Sequence, residues 1–301
     1  MTFMKLPVVR GKYRENYNLA HLTWFKVGGA ADVLYKPFDE DDIADFLKQS
    51  NGKLPVTIIG AGSNIIIRDR GIEGVVIKLG SGFTEIETLP KGDLLVGSAC
   101  LNFNLAKFAQ ANSIKGFEFL VGIPGTVGGG VAMNAGSYGF EFKDVVKSVY
   151  ALDNLGIKMQ IPVEDIGFGY RKNSLPTNLI YTKVVFRGDL GDADEIKLKM
   201  QEINKKRSST QPITEKTGGS TFANPEGGKK AWELIDAAGL RGAKIGGALM
   251  STKHCNFIIN QDNATADDIE MLGEFVRSKV MEHSGIELKW EIKRIGRNEK
   301  I

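Results

Sequence analysis

The chain has 301 residues, 42% apolar and 25% charged, with a formal net charge of +3. That length exceeds what one hydrophobic core usually supports, so two or three domains are expected. The small net charge without a long basic run gives no reason to expect nucleic acid, and two cysteines, Cys100 and Cys255, are too few for a disulfide framework. No apolar run reaches the length of about 18 residues that a membrane helix needs. Residues 1–16 hold no apolar segment of signal-peptide length, so a cytoplasmic location is expected.

Residues 22–35 (LTWFKVGGAADVLY) read as a strand-like run interrupted by Gly28-Gly29. Residues 39–42 are acidic and precede Ile43, Phe46 and Leu47. That pattern predicts an amphipathic helix with acids in its first turn, where the dipole favours them. Residues 54–59 form a buried strand entering Gly60-Ala61-Gly62-Ser63-Asn64, and Ile65-Ile66-Ile67 follow. A strand followed by G-x-G invites a dinucleotide fingerprint, but Ile65 stands where the third glycine belongs. Three β-branched residues then continue as a strand instead of opening a helix. The next strand, residues 75–79, carries Lys78 and no acid for a ribose. The unit is strand, turn, strand, and the amides of residues 62–64 form a candidate anion nest.

Residues 94–99 read as a strand and 104–111 as a helix. Residues 120–139 follow, LVGIPGTVGGGVAMNAGSYG, with seven glycines in the eighteen residues from Gly122, against 36 in the whole chain. Glycine weakens regular structure, so such a run needs either a positive φ or a close approach to the backbone. Its aliphatic residues exclude a flexible linker. Two readings stay open on these residues: a tight crossing of backbones, or a concave row of amides for an anion. Two glycine-rich elements about sixty residues apart suit one long ligand gripped at two places. Residues 145–153 and 157–161 predict a hairpin around Asn154-Leu155-Gly156.

Phe168-Gly169-Tyr170-Arg171-Lys172-Asn173-Ser174 precedes a strand at 180–186. By itself Arg171 is either a surface arginine or a bidentate clamp on a carboxylate. Residues 192–207 predict a charged helix with Ile196, Met200 and Ile203 on one stripe, ended by Pro212. A domain boundary is placed near residue 190. Residues 216–225 (KTGGSTFANP) contain Ser220 after two glycines, without a Walker loop or nucleophile elbow. On its own this is a turn serine. Residues 232–238 form a helix stopped by Gly239. Residues 246–260 (GGALMSTKHCNFIIN) set Lys253, His254 and Asn256 into an apolar pattern. Three histidines without ligand spacing imply no metal site. Thr265 with Asp268 is a capping box opening a helix to about His283, with Gly285 at its end. In the final strand Ile286, Leu288, Trp290 and Ile292 alternate with Glu287, Lys289, Glu291 and Lys293, which periodicity alone assigns to solvent.

Taken in order, GAGSN, GIPGTVGGGVAMNAGSYG, GYRKNS, KTGGSTFANP, LIDAAGLRGAKIGGALMSTKHCNFIIN and ELKWEIKRIG resemble the UDP-N-acetylenolpyruvoylglucosamine reductase family of bacterial cell-wall synthesis, in its shorter class without a substrate-closing loop insertion. The resemblance spans residues 20–296. It implies an α+β fold: a two-lobed FAD-binding domain of the vanillyl-alcohol-oxidase (PCMH) type plus a C-terminal α+β substrate-binding domain. The implied spans are an N-terminal arm at 1–25, the FAD domain at 26–190 with its lobes joined near 72–80, and the substrate domain at 191–301.

The resemblance also implies the ligands and their sites. Non-covalent FAD would lie against Gly60, Ala61, Gly62, Ser63 and Asn64, and against Gly122, Ile123, Pro124, Gly125, Thr126, Gly128, Gly129, Ala132, Asn134, Gly136 and Ser137. Helix N-terminal positions near Thr126 are further candidates to face a phosphate. The family's catalytic positions fall on Arg171, Ser220 and Glu291, and Tyr170, Asn224, Lys253, His254 and Asn256 are substrate-side candidates. The implied reaction reduces UDP-N-acetyl-3-O-(1-carboxyvinyl)-glucosamine to UDP-N-acetylmuramate with NADPH. A hydride passes from flavin N5 to the vinyl C3, and Ser220 gives a proton to C2. Arg171 and a protonated Glu291 would stabilise the enolate. A rival is a related carbohydrate oxidase, many of which tether FAD through histidine; His21, the histidine nearest the first lobe, lies outside a glycine loop. A non-catalytic flavin-binding module is the other rival. Oligomeric state is not legible.

Overall fold

The computed structural model describes residues 6–297. Residues 1–5 of the expected arm and 298–301 lie outside them. In chain order the elements are β1 (Lys12–Asn18), β2 (Ala30–Lys36), α1 (Glu40–Ser50), β3 (Val56–Ile59), β4 (Ile65–Ile67), β5 (Ile72–Lys78), β6 (Ile86–Thr88), β7 (Leu94–Gly97), α2 (Asn102–Ala111), β8 (Ile114–Lys115), α3 (Val127–Met133), β9 (Gly136–Ser137) and β10 (Phe140–Glu141). The chain continues with β11 (Val146–Leu152), β12 (Lys158–Pro162), α4 (Val163–Ile166), β13 (Ile180–Phe186), β14 (Asp189–Leu190), α5 (Ala193–Thr210), α6 (Ala231–Ala237), β15 (Lys244–Ile245), β16 (Ala248–Met250), β17 (Ile258–Asn260), α7 (Ala266–Ser284) and β18 (Lys293–Ile295). This is an α+β fold, as expected.

Contacts divide the chain into two compact units, each of three segments. Met1–Glu15, Val33–Ala61 and Gly74–Lys205 form the first; Asn16–Asp32, Gly62–Glu73 and Lys206–Ile301 form the second. This division is interleaved, unlike the contiguous spans read from the sequence.

In the first unit, a sheet of order β1-β2-β5-β3 pairs β3 and β5 in parallel, with Val56 opposite Val75. Helix α1 starts where the Asp39 carboxylate accepts from the Asp42 amide at 2.9 Å, and it ends at Asn51 in the left-handed region. Its Ile43, Phe46 and Leu47 join Val33, Tyr35, Val75 and Ile77 in one core. The second sheet, β12-β11-β13-β7-β6, is antiparallel throughout. Its core takes in Val96, Leu105, Phe142, Val149 and Phe186, together with Ile196, Met200 and Ile203 of α5. That is why α5, placed with the C-terminal domain by the expected boundary near 190, belongs to the first unit up to Lys205: its apolar stripe has its partners there.

In the second unit the antiparallel sheet β15-β16-β17 carries α6 and α7. The capping box of Thr265 and Asp268 opens α7, and Gly285 closes it at φ 68°. Asp69 and Arg68 help hold the segment Gly62–Glu73 to this unit. The Asp69 carboxylate accepts from the Ala266 and Asp267 amides at 3.0 and 3.1 Å, and Arg68 pairs with Glu270 at 2.9 Å. Strand β4 lies parallel to β18, Ile65 opposite Lys293. The turn after β3 therefore runs into a strand, and the exclusion of the dinucleotide fingerprint holds.

Two strand expectations are corrected. Within residues 22–35 the strand begins only at Ala30, because the chain from Thr23 to Gly29 folds back on itself through the Thr23 hydroxyl, which donates to Val27 O at 2.9 Å. The final alternating run buries Leu288 and Ile292 and exposes Glu287, Lys289 and Lys293, but Glu291 departs from the alternation and the run is a strand only over β18 plus one bridge from Trp290 to Phe222. Among the described residues no helix is long and apolar enough to cross a membrane.

Candidate active site

The glycine stretch contains a short helix, α3, whose three glycines at 128–130 do different jobs. A Cβ at Gly130 would sit 2.0 Å from the buried Phe142 ring, so this glycine permits packing. A Cβ at Gly129 would meet only the Thr126 hydroxyl, at 3.4 Å. One at Gly60 also meets only that hydroxyl, at 2.8 Å. Thr126 thus stands between the two glycine loops. Gly129 and Ala132 are exposed and Gly125 and Gly136 partly so, which leaves one face of α3 without side chains. The stretch packs closely against the Phe142 ring on one side and leaves open backbone on the other. The open face and the Gly60 turn fit a flat, anionic ligand such as FAD.

The N-terminus of α3 is less available than expected. The Val127 and Gly128 amides donate to Cys100 O and Ser98 O at 2.9 and 2.8 Å, and Gly129 N reaches Thr126 Oγ1 at 3.4 Å. The expectation that helix positions near Thr126 face a phosphate is corrected for residues 127 and 128, whose donors are already paired. Gly62 likewise touches protein: a Cβ there would lie 2.1 Å from Leu22 O, and its carbonyl accepts from Trp24 N at 3.0 Å.

The two small-residue sites make a test. Gly130→Ala adds a methyl against a fixed ring, an overpacking cost of about 1–3 kcal/mol. That exceeds the gain of about 1 kcal/mol from replacing a helical glycine. Thermal melts are expected to show a lower midpoint for Gly130→Ala and an unchanged or higher one for Gly129→Ala. FAD titration is expected to show the reverse order of damage, with Gly129→Ala binding more weakly. A Gly130→Ala protein as stable as the parent contradicts this packing role.

Arg171 lies on a turn pinned to the end of α3. Gly169 and Lys172 form a bridge, and the buried Asn134, in the left-handed region, donates to Gly169 O at 3.0 Å. Asn173 donates to Val131 O at 3.1 Å. Arg171 itself has φ 56°. Its guanidinium donates to Gly136 O at 3.1 Å, lies 3.9 Å from Glu141 and stacks 5.0 Å from the Tyr170 ring centroid. Burial pushes the Glu141 carboxyl up, but Lys143, Asn134 and Arg171 outweigh it and hold it below the usual range. The arginine is therefore held, not a free surface side chain, while Tyr170 is 51% exposed.

Ser220 and Glu291 lie in the second unit on neighbouring segments. Gly218 packs against Phe25, where a Cβ would come within 2.4 Å of the ring, and Gly219 turns at φ 85° in open space. Immediately after Ser220, Thr221 N donates to Asn256 O at 2.8 Å and Thr221 O accepts from Glu291 N at 2.9 Å. Asn64 Nδ2 donates to Glu291 O at 3.3 Å, and Lys293 N to Asn64 O at 3.1 Å. Backbone bonds thus line up the segments holding residues 64, 220 and 291. Of the four polar residues assigned to solvent in the last run, Glu287, Lys289 and Lys293 are exposed and Glu291 is not.

The substrate-side candidates divide. Asn256 is buried, and both ends of its amide bind Phe222: Oδ1 accepts from Phe222 N at 3.0 Å and Nδ2 donates to Phe222 O at 2.9 Å. This two-point bridge ties Asn256 to the backbone that follows Ser220, and one Nδ2 hydrogen and one Oδ1 lone pair stay outside the bridge. Asn224 Oδ1 accepts from Ala231 N at 3.1 Å at the start of α6. Lys253 Nζ donates to Ser208 O at 2.6 Å. His254 packs edge-on to Phe257 at 4.8 Å, and burial, with the Arg241 charge, holds its pKa below the ordinary histidine range.

Sequence reasoning missed two residues beside the glycine loops. Asn102 is buried, donates to Ile123 O at 3.3 Å and leaves its Oδ1 without a partner. Lys78 donates from Nζ to Gly60 O. The available signal for Lys78 was a lysine directly after the apolar run Val75-Val76-Ile77. Both cysteines are free and buried, and among the described residues no cluster could hold a metal ion.

A family model described as an FAD binding domain matches residues 31–159, and one described as the C-terminal domain of UDP-N-acetylenolpyruvoylglucosamine reductase matches residues 211–295. The UDP-N-acetylenolpyruvoylglucosamine reductase of Rickettsia canadensis (strain McKiel) is 62% identical over 294 residues, covering 98% of this chain and 99% of that protein. That of Rickettsia peacockii (strain Rustic) is 64% identical over 293 residues, covering 97% and 99%. The crystal structure of UDP-N-acetylenolpyruvylglucosamine reductase (MurB) from Thermus caldophilus matches with a TM-score of 0.82 at 32% identity, covering 95% of this chain and 99% of that one. With such identity along nearly its whole length, the chain belongs to the UDP-N-acetylenolpyruvoylglucosamine reductase (MurB) family.

Proposed function

We propose that this chain is a cytoplasmic flavoenzyme that uses NADPH to reduce UDP-N-acetyl-3-O-(1-carboxyvinyl)-glucosamine to UDP-N-acetylmuramate during peptidoglycan precursor synthesis. The carrying observation is the 62% identity to the reductase of Rickettsia canadensis over 98% of this chain. The side-chain-free face of α3 and the Gly60 turn support FAD as the cofactor held by the first unit, and the segment from residue 206 is assigned to the UDP-sugar.

A flavin held by these glycine-rich segments would supply two-electron hydride chemistry between NADPH and the vinyl C3. The remaining work falls to protein groups. As C3 gains the hydride, negative charge develops at C2 and spreads into the adjacent carboxylate. The Arg171 guanidinium is assigned to pair with that charge, an electrostatic stabilisation made strongest as the charge forms. Its anchoring on Gly136 O supports this, because a clamp held in advance needs little reorganisation. Glu291, in its protonated form, is assigned to donate a hydrogen bond to the same enolate. The Ser220 hydroxyl gives the proton to C2. Serine is a weak acid in water, and a developing carbanion is the strong acceptor that makes the transfer feasible.

The test is direct. The purified protein is expected to be yellow, with a flavin absorption spectrum, and without oxygen to consume NADPH beyond one equivalent per flavin only when the enolpyruvyl UDP-sugar is added. A colourless protein that FAD cannot reconstitute contradicts the reading. A yellow protein that leaves NADPH unused favours a non-catalytic flavin-binding module.

A further inference from the structure

Lys78 ends strand β5 half-buried, and among the described residues no acidic side chain is paired with its ammonium, which donates to Gly60 O. The charged neighbour acting on it is Lys36, of the same sign. Burial first, and Lys36 second, hold its pKa below the ordinary lysine range. A desolvated cation without a counter-ion is unfavourable, and an anion from outside the chain relieves it.

Among the described residues that ammonium donates to Gly60 O. The Gly60–Ala61 peptide is trans, so the Gly60 carbonyl and the Ala61 N–H point in opposite directions. Holding the carbonyl toward Lys78 turns the Ala61 N–H the other way. That N–H donates to no protein acceptor among the described residues. A cation on the carbonyl also polarises the peptide and makes its N–H a stronger donor. A Cβ at Gly60 would meet nothing but the Thr126 hydroxyl, so the ground beside this peptide is open.

We propose that Lys78 is a positioning residue for the anionic part of the cofactor: it orients and polarises the Gly60–Ala61 peptide and supplies the positive charge beneath a diphosphate. This rests on the FAD reading of the same loop, and adds a charge from outside both glycine motifs.

The test uses the full-length protein, freed of flavin and titrated with FAD and, separately, with riboflavin, which has no phosphate. Lys78→Met is expected to weaken FAD by about tenfold to a hundredfold, the range of a charge-assisted hydrogen bond, while changing riboflavin little. Lys78→Gln keeps a donor for Gly60 O without the charge and is expected to fall between. Lys78→Arg keeps both and should restore most of the affinity. A structural role alone would shift both ligands equally. Equal losses for FAD and riboflavin, or FAD binding by Lys78→Gln and Lys78→Met at the parent affinity, overturn the proposal. If Lys78→Met does not fold, the Gln and Arg variants carry the same comparison. Failure of the parent protein to bind FAD would instead remove the functional reading itself.

Discussion

Ser220→Ala is expected to leave reduction of the bound flavin by NADPH near the parent rate. Reoxidation of the reduced flavin by the enolpyruvyl UDP-sugar should slow by at least about a hundredfold, since a positioned general acid is worth about 10²–10⁴ in rate. The split follows from where the hydroxyl acts. NADPH oxidation asks for no proton at the sugar C2, whereas the second half-reaction is completed by that proton. The loop should survive the substitution. Its shape comes from the positive φ of Gly219, the contact of Gly218 with Phe25 and the backbone bonds of Thr221, none of which involves the serine side chain. Stopped-flow absorbance of the flavin under anaerobic conditions separates the two steps. Parent-like rates in both would remove the assigned role of Ser220.

Asn256→Ala is expected to be the most damaging single polar substitution in the second unit. It strips both the donor and the acceptor from the Phe222 backbone, in a region where Phe222 is itself buried. Each buried group left unpaired costs about 1–3 kcal/mol, so about 2–6 kcal/mol of destabilisation follows if no water enters. Asn256→Asp should fare little better, because a carboxylate cannot donate to Phe222 O. Denaturant unfolding measures the loss. The same variant separates loop support by Asn256 from direct contact with a ligand. In the fraction that folds, a support role predicts reduced turnover with near-normal reduction by NADPH. Unchanged stability with weakened substrate affinity would return Asn256 to the binding surface.

Helices α1 and α7 were legible because their signals are local. Asp39 and the acids after it, the Thr265–Asp268 box and the closing Gly285 lie within a few residues of the turns they stabilise. The hairpin of β11 and β12 was legible for the same reason, as were three isoleucines continuing as a strand after the first glycine turn. The ordered motifs also named the family, since a set of six short stretches in one order carries far more information than any one of them.

Helix α3 was not legible as a helix. Three successive glycines cost a helix about 1 kcal/mol each relative to alanine, so VGGGVAM forms one because of its surroundings: Val127 and Val131 are buried, and Gly130 admits Phe142. Nor could periodicity place α5 in the first unit, or distinguish Glu291 from the three exposed residues that alternate with the same face. Those outcomes depend on partners remote in sequence, such as Asp69 on the start of α7, Asn64 on Glu291 and Asn256 on Phe222. Residue order alone thus set the local elements, the α+β class and the family, because turn chemistry and hydrophobic period act over a few positions. Folding in three dimensions decided which glycines face open space, which polar side chains are already occupied and where Lys78 sits, because burial and hydrogen-bond partners exist only once distant segments meet.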